Sequence, residues 1–333
     1  MNNSSFALKY QHNLHKIRKA KMYLPYPSSL DSSLTLYADF DIPQQKAHLH
    51  LNLHGWHGCV KTQHRDNVEA ARGNAKWFFI RPEMRGRGDS TGRPDCNGYE
   101  LQDAIDAVEY AKQRFADKIL EPEKVYLSGG SGGGGNVLAL LGKFPDYFCR
   151  AHADCGVYDY AMWYRGDTKG EFRDEMEGKG WIGGNPDTNP EAYQSRSGIT
   201  TVCNIQTPVI LFHGENDIRV PAEQVRCLMD EVRRLQKCAL IHYFELPNCG
   251  GRDHWTDIAP ELMAFRESTA SAFMELPSPS IRMPRNGTLT VAGYLVTKDF
   301  TVRLESVDNV AQLHYDLDRN IFELSKPGTI IQT

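Results

Sequence analysis

The sequence has no long apolar run, no close cysteine pairs and no excess of charge of one sign. No apolar stretch in the 333 residues is long enough to cross a bilayer, so we expect no membrane partner. The formal net charge is −4 with both signs interspersed, which leaves no basic face for nucleic acid. The N-terminal stretch lacks the apolar core of a signal peptide, and this predicts a cytoplasmic protein unless a leader has been removed.

Cysteines and histidines are present but not in the patterns of a metal site. The eight cysteines are scattered without a C-x-x-C pair, which favours reduced, mostly buried thiols over a disulfide framework or a zinc site. Five histidines lie between residues 48 and 64, but no carboxylate or cysteine completes a ligand set at a usual spacing. The sequence therefore predicts no metal, and nothing in it calls for another cofactor.

Strand and helix patterns alternate from about residue 31 to residue 276. Lys76–Ile80 and Pro208–His213 are continuous apolar strands of the kind buried in parallel sheets. Between them, apolar residues recur at helical spacing from Leu101 to Phe115. This order predicts an α/β fold with a mostly parallel sheet and helices on both faces. The long polar and aromatic segment 156–205 interrupts it, and we expect that segment to cap the site.

The two ends of the chain have a different texture. Residues 1–30 predict an N-terminal arm, either a polar helix or a loosely docked segment. After Pro277, short alternating strands separated by Asp- and Asn-rich turns predict a small antiparallel β unit over 279–333. Because four short strands are marginally stable alone, we expect this unit to pack on the main domain or on a second copy, giving a homo-oligomer.

The stretch Lys124–Leu141, KVYLSGGSGGGGNVLALL, contains the most specific motif. A strand runs into Ser131, which is flanked by glycines, and an apolar helix follows. This is the pattern of a nucleophile elbow, a turn so tight that small neighbours are required. A linker would not be bracketed by apolar runs, and no Lys-Ser/Thr pair follows to make a P-loop. Ser131 is therefore a candidate nucleophile.

A serine hydroxyl needs a base and an acid to become a nucleophile near neutral pH. Glu215 and Asp217 both follow the buried strand that ends at His213, so either could be the acid at the carboxyl end of the sheet. The next strand is followed by a loop that carries His254, where the base belongs. Asp253 is adjacent to His254, but neighbouring residues rarely face each other correctly.

The stretch PVILFHGENDIRVP, together with RGRGDSTG, the GGSGGG elbow and GGNPDTNPEAYQSRS, resembles the prolyl oligopeptidase-type (S9-like) branch of the α/β-hydrolases. That branch carries HGxxDxxVP, so the resemblance assigns the acid to Asp217. The resemblance covers roughly residues 30 to 275. It implies a catalytic triad of Ser131, Asp217 and His254.

Three departures from that branch shape the functional hypothesis. Only some 45 residues precede the first core strand, so the peptide-binding propeller is missing from this sequence. The histidine loop reads CGGRDHW instead of the shorter Gly-x-Gly-His form, and the C-terminal β unit is additional. The sequence therefore predicts a serine hydrolase that cleaves a small carboxylic ester. The alternative is an oligo- or exopeptidase that acts on short peptides. A non-catalytic binding protein is the second alternative.

An oxyanion hole requires two N–H donors aimed at the developing charge. The backbone of Gly132 is one candidate, and Trp56 in the His-Gly loop after the third strand is the other. In the capping segment, Trp163, Tyr164 and Trp181 either form the wall of a substrate pocket or make a small core beneath the loop.

Overall fold

The computed structural model describes residues 20–61, 76–278 and 280–332. Its main layer is an eight-stranded sheet in the order β1-β2-β4-β3-β5-β6-β7-β8. The strands β3 to β8 run parallel to one another, whereas β1 and β2 are antiparallel additions at one edge. The strands are β1 Ala20–Pro27, β2 Thr35–Ile42, β3 His48–Leu53, β4 Trp77–Pro82, β5 Val125–Gly130, β6 Phe148–Asp154, β7 Val209–Gly214 and β8 Ile241–Leu246.

Helices cover both faces of this sheet, as the alternation of its side chains requires. Leu127 and Leu211 point to the face that packs against α1, α2 and α5, while Tyr126 and Ile210 point to the face that packs against α6. The helices are α1 Glu100–Arg114, α2 Gly132–Lys143, α3 Tyr160–Gly166, α4 Pro190–Arg196, α5 Glu223–Arg234 and α6 Pro260–Glu275. The predicted α/β fold is confirmed. No helix in the described part of the chain is long and apolar enough to cross a membrane.

The N-terminal region differs from its prediction where the structure describes it. Residues 20–27 form β1, which pairs along its full length with β2 and is not a loosely attached arm. Pairing satisfies the backbone groups of β2 on its outer side, which a loose arm would leave open. The earlier part of the predicted arm lies outside the described residues.

The C-terminal region folds into a second, six-stranded antiparallel sheet in the order β13-β12-β9-β10-β11-β14. Its strands are β9 Asn286–Ala292, β10 Tyr294–Val296, β11 Phe300–Leu304, β12 Val310–Asp316, β13 Ile321–Leu324 and β14 Gly328–Gln332. A small apolar core lies on it, including Val291, Phe300 and Leu313. The sequence predicts four short strands, whereas the structure has six, because Gly293 separates β9 from β10 and the strand β14 was not foreseen.

Buried polar contacts attach this β unit to the main domain. The guanidinium of Arg196 donates to the carbonyl of Val307 at 2.7 Å and pairs with Asp308 at 2.7 Å. Asn204 donates to the carbonyl of Thr290 and accepts from its N–H, as a strand neighbour would. The predicted packing of the unit on the main domain is therefore present, while the homo-oligomer remains a prediction.

Candidate active site

Ser131 stands at the junction of β5 and α2, in the tight turn that the glycine-flanked sequence predicts. Its φ of 57° and ψ of −123° are unusual for a residue with a side chain, which makes the turn a strained one. A hydrogen bond to the neighbouring strand restrains the turn: the N–H of Ser131 donates to the carbonyl of Asp154 on β6 at 2.8 Å. The hydroxyl is thereby placed at the carboxyl edge of the parallel sheet.

Asp217 lies in the turn that follows β7 and is 4% exposed. One carboxylate oxygen, Oδ1, accepts from the N–H groups of Arg219 and Val220 at 2.8 and 3.0 Å. The other, Oδ2, accepts from Nδ1 of His254 at 2.6 Å. Burial alone would raise the pKa of Asp217, but the hydrogen bonds from His254 and Val220 outweigh it and lower that pKa. Asp217 is thus held as a carboxylate.

The loop carrying His254 is joined to the Asp217 turn through its backbone. Cys249 accepts from the N–H of Asn216 at 2.8 Å, and Gly250 accepts from the N–H of Ile218 at 3.2 Å. Gly250 has a φ of 104°, and a β-carbon there would lie 2.5 Å from the nitrogen of Asp217. Only glycine permits this close approach, which explains Gly250 in the longer histidine loop of this sequence.

The two other carboxylates considered from the sequence occupy different positions. Glu215 accepts from the N–H of Asn248 at 2.9 Å and does not reach the imidazole. Asp253 lies 4.0 Å from Nε2 of His254, on the opposite side of the ring from Asp217, and its side chain is 71% exposed. The geometry therefore places Asp217, and neither Glu215 nor Asp253, against the Nδ1 side of His254.

Ser131 and His254 line the same cavity, which has a volume of about 400 Å³. Its wall also includes Trp56, Trp163, Phe172 and Arg219. No hydrogen bond joins Ser131 to His254 within the described residues, and such contacts in unliganded sites often tighten only around substrate. Asp217 and His254 are thus hydrogen-bonded to each other, and Ser131 lines the same cavity as His254.

The backbone of Trp56 lies directly beside that of Gly132. A β-carbon added at Gly132 would be 2.7 Å from the nitrogen of Trp56, so the two predicted oxyanion donors are neighbours. The peptide group between Gly55 and Trp56 is fixed at its carbonyl, which accepts from the N–H of Gly58 at 2.8 Å. Nδ1 of His54 lies 2.8 Å from the same oxygen. Because the peptide is planar, these contacts restrain the Trp56 N–H from the carbonyl end of the peptide group.

His54 is neutral and has a defined tautomer in this arrangement. Its Nε2 accepts from the N–H of Met84 at 3.3 Å, so the proton is on Nδ1 and is donated to Gly55. Burial lowers the pKa of His54, which agrees with a neutral ring. In the sequence, His54 is one of the five histidines between residues 48 and 64 for which the spacing predicts no metal site.

The capping segment packs its aromatic side chains above the site as a small core. Trp163 lines the cavity that contains Ser131. Trp181 lines a smaller adjoining cavity that also includes Trp56 and Gly132. Tyr164 faces away, donating its hydroxyl to Glu177. The structure therefore brings two of the three predicted pocket residues to the site, and both belong at the same time to the core of the cap.

Several residues at the site were missed by the sequence reasoning. Glu175 in the cap accepts hydrogen bonds from the side chains of Trp56 and His57. The buried His213 has its Nε2 3.6 Å from Oδ2 of Asp217. In the described residues, Cys155, Asp217 and His254 form the one group of three potential metal ligands whose ligand atoms all lie within 4.8 Å of one another. No spacing rule connects these residues, because they come from separate strands and loops.

Comparison with known proteins agrees with the fold and identifies the family. The family model for peptidase S9, the prolyl oligopeptidase family, matches residues 85–262, which is more than half of the chain. The uncharacterized peptidase YtmA of Bacillus subtilis (strain 168) is 28% identical over 169 residues, covering 49% of this chain and 61% of that protein. The chain thus spans less than two thirds of this relative.

Solved structures show the same fold at low sequence identity. An acylaminoacyl peptidase from Pyrococcus horikoshii superposes with a TM-score of 0.63 at 18% identity, covering 81% of this chain and 43% of that one. An esterase from Pyrococcus furiosus gives a TM-score of 0.57 at 14% identity, covering 78% of this chain and 92% of that one.

The fold and the strand-end site define an α/β-hydrolase. Within that class, the chain belongs to the prolyl oligopeptidase family of hydrolases. Neither sheet of the described residues closes into a propeller.

Proposed function

We propose that the protein is a serine hydrolase that cleaves a small carboxylic ester through an acyl-enzyme on Ser131. The observation that carries the proposal is the 2.6 Å hydrogen bond between Asp217 and His254 on the wall of a cavity that Ser131 also lines. A buried carboxylate on Nδ1 leaves Nε2 of the imidazole as the atom that can accept a proton.

The reaction would proceed in two stages. Nε2 of His254 accepts the proton of the Ser131 hydroxyl as its oxygen attacks the ester carbonyl, and the imidazolium then protonates the leaving alcohol. The N–H groups of Gly132 and Trp56 stabilise the tetrahedral oxyanion. Water, activated by the same histidine, releases the acid and restores Ser131. Asp217 holds the ring orientation and stabilises its positive charge throughout.

The preference for an ester over a peptide rests on two observations. The Pyrococcus furiosus esterase is matched over 92% of its length, so an esterase can consist of little more than this fold. In the described residues, the cavity is bounded by the cap segment and not by a propeller. Other similar proteins are peptidases, which makes an oligo- or exopeptidase of the same mechanism the second candidate.

A fluorophosphonate probe tests whether Ser131 is a nucleophile. We expect covalent labelling of the wild type and none of Ser131→Ala. Ser268→Ala, which removes an exposed hydroxyl on α6, should be labelled like the wild type. An unlabelled wild type, or equal labelling of Ser131→Ala, would contradict the proposal and favour a non-catalytic binding protein.

A substrate panel then separates the two hydrolase candidates. Aryl esters of increasing acyl length, acetylated and feruloylated sugars, and short peptidyl amides should be compared by kcat/KM. We expect ester hydrolysis to exceed amide hydrolysis. Higher kcat/KM for the peptidyl amides would replace the esterase proposal with the peptidase.

A further inference from the structure

Glu175 links the capping segment to the loop that contains Trp56. It lies in the helical turn Asp174–Gly178 and is 6% exposed. Its Oε2 accepts from the indole Nε1 of Trp56 and from Nε2 of His57, the latter at 2.9 Å. Lys179 Nζ lies 3.4 Å from Oε1. A buried carboxylate with two side-chain donors from one loop restrains that loop strongly, because charge-assisted hydrogen bonds are the stronger ones.

The charge of Glu175 is compensated by these partners. Burial would raise the pKa of Glu175, but the hydrogen bonds from Trp56 and His57 outweigh it and lower that pKa. The side chain is therefore a carboxylate near neutral pH. The contact differs from general packing of the cap, since an uncharged side chain of the same shape could not accept both donors equally well.

Trp56 is held on its remaining sides by aromatic groups and by an arginine. Its ring lies edge-on to Trp163 at a centroid distance of 4.9 Å and tilted against Trp181 at 5.4 Å. Its carbonyl accepts from Arg87 at 3.0 Å, and the guanidinium of Arg87 lies 4.5 Å from the Trp181 ring centroid. These contacts involve the ring and the backbone carbonyl of Trp56, whereas the hydrogen bond from its indole Nε1 to Glu175 adds a directional restraint on the side chain.

We propose that Glu175 is a positioning residue that holds Trp56 so that its backbone N–H is directed at the oxyanion. This inference rests on the proposed function, since it assigns a role only if Trp56 is an oxyanion donor. Misalignment of a single donor weakens transition-state binding much more than substrate binding. The cap would then contribute to catalysis through Glu175 without touching the substrate with that residue.

The first test is Glu175→Gln, which retains the size and one acceptor but loses the charge. We expect kcat on the best ester of the panel to fall about 10- to 100-fold, while KM changes less than about threefold. Glu177→Gln is the matched control, because Glu177 is in the same turn but accepts from Tyr164 and Asn185. The control should keep wild-type kcat.

A double-variant cycle separates positioning from general stability. Trp56→Phe removes the indole donor and keeps the backbone N–H. If Glu175 acts through that donor, the two losses should not add up. The double variant Trp56→Phe, Glu175→Gln should then have about the same kcat as the less active of the two single variants. A boronic acid, whose tetrahedral adduct with Ser131 places an oxygen in the oxyanion hole, should lose affinity in Glu175→Gln by about the same factor as kcat.

The outcomes distinguish this inference from the function on which it depends. An active wild type with unchanged kcat in Glu175→Gln, or with additive losses in the double variant, would overturn the positioning role alone. A loss of kcat that appears only together with a lowered Tm, equally in Glu177→Gln, would also overturn it. A wild type that neither reacts with the fluorophosphonate nor turns over esters would instead remove the proposed function.

Discussion

The two sheets of this protein are used in different ways. The eight-stranded sheet carries the candidate site at the carboxyl ends of its parallel strands, where Ser131, Asp217 and His254 follow β5, β7 and β8, respectively. The six-stranded sheet is joined to the main domain by its backbone and by buried polar side chains, among them Arg196 and Asn204. Parallel strands bring distant loops together, whereas an antiparallel sheet offers a broad surface for docking. We therefore expect chemistry to depend on the first sheet and stability on the second.

The largest expected effect is on chemistry at the first sheet. Asp217→Asn should lower kcat by about 10⁴-fold, because the amide cannot stabilise the imidazolium or keep its proton on Nδ1. The fold should be retained, since the amide oxygen can still accept from Arg219 and Val220. Steady-state kinetics and thermal unfolding measure the two effects separately.

The control for that variant is Glu215→Gln, which alters the other carboxylate of the same turn. It should change kcat by less than about threefold, because Glu215 contacts the backbone of Asn248 and not His254. A large loss in Glu215→Gln together with a small loss in Asp217→Asn would show that the acid has been assigned wrongly.

The next effect concerns the docking of the second sheet. Arg196 is 2% exposed and donates to the carbonyls of Asp95 and Val307, to Ser195 and to Asp308. Arg196→Met removes the buried donor from these partly buried acceptors, and we expect a loss of about 3 kcal/mol in the free energy of unfolding. Urea denaturation measures it, and activity of the folded fraction should change little.

An exposed ion pair provides the contrast for Arg196. Arg165→Met removes a pair with Asp187 in which both side chains are more than half exposed, and it should cost less than about 0.5 kcal/mol. If Arg196→Met left stability unchanged but altered the oligomeric size in gel filtration, the second sheet would be an interface between copies and not an internal support.

The smallest effect is a pH dependence within the main domain. Glu100 on α1 is 6% exposed and accepts from the N–H of Asn97 at 2.8 Å. Burial, with the nearby Asp95, raises its pKa to about 7. Folding favours the protonated carboxyl of Glu100. Its contribution to the stability of the folded state is therefore complete below about pH 4.5 and is lost as the pH rises through 7.

Glu100→Gln remains uncharged at every pH and should remove this dependence. Between pH 4.5 and pH 8 we expect the unfolding free energy of the variant to rise relative to the wild type by on the order of 2–3 kcal/mol. Urea denaturation at several pH values measures it, with the exposed Glu123→Gln as the control. Parallel pH curves for wild type and Glu100→Gln would contradict the assignment.

Much of the fold could be predicted because its strands are buried on both faces. Runs such as Val209–Gly214 are buried throughout and apolar from Val209 to Phe212, and they are followed by helices with clear periodicity, so element type and order were evident. The strand β1 was not recognised, since an edge strand with Pro25 and Pro27 lacks such a pattern. The exposed β14 likewise has little apolar alternation, and its existence depends on pairing with β11.

The candidate site was predictable where one residue lies in a distinctive local motif. The turn around Ser131 and the HGENDIRVP stretch specify conformations through their glycines and their order along the chain. Glu175 could not be found in this way, because it is 119 residues from Trp56 and its turn has no motif. Only the folded arrangement of the cap shows which carboxylate meets the indole.

The contacts of Arg196 and Asn204 also have a consequence for biosynthesis. Their partners Val307 and Thr290 lie 111 and 86 residues further along the chain. During translation, Arg196 and Asn204 of a nascent main domain would lack the partners at Val307, Asp308 and Thr290 until the second sheet has emerged from the ribosome. The six-stranded sheet would thus complete the hydrogen bonding of a domain that precedes it in the chain.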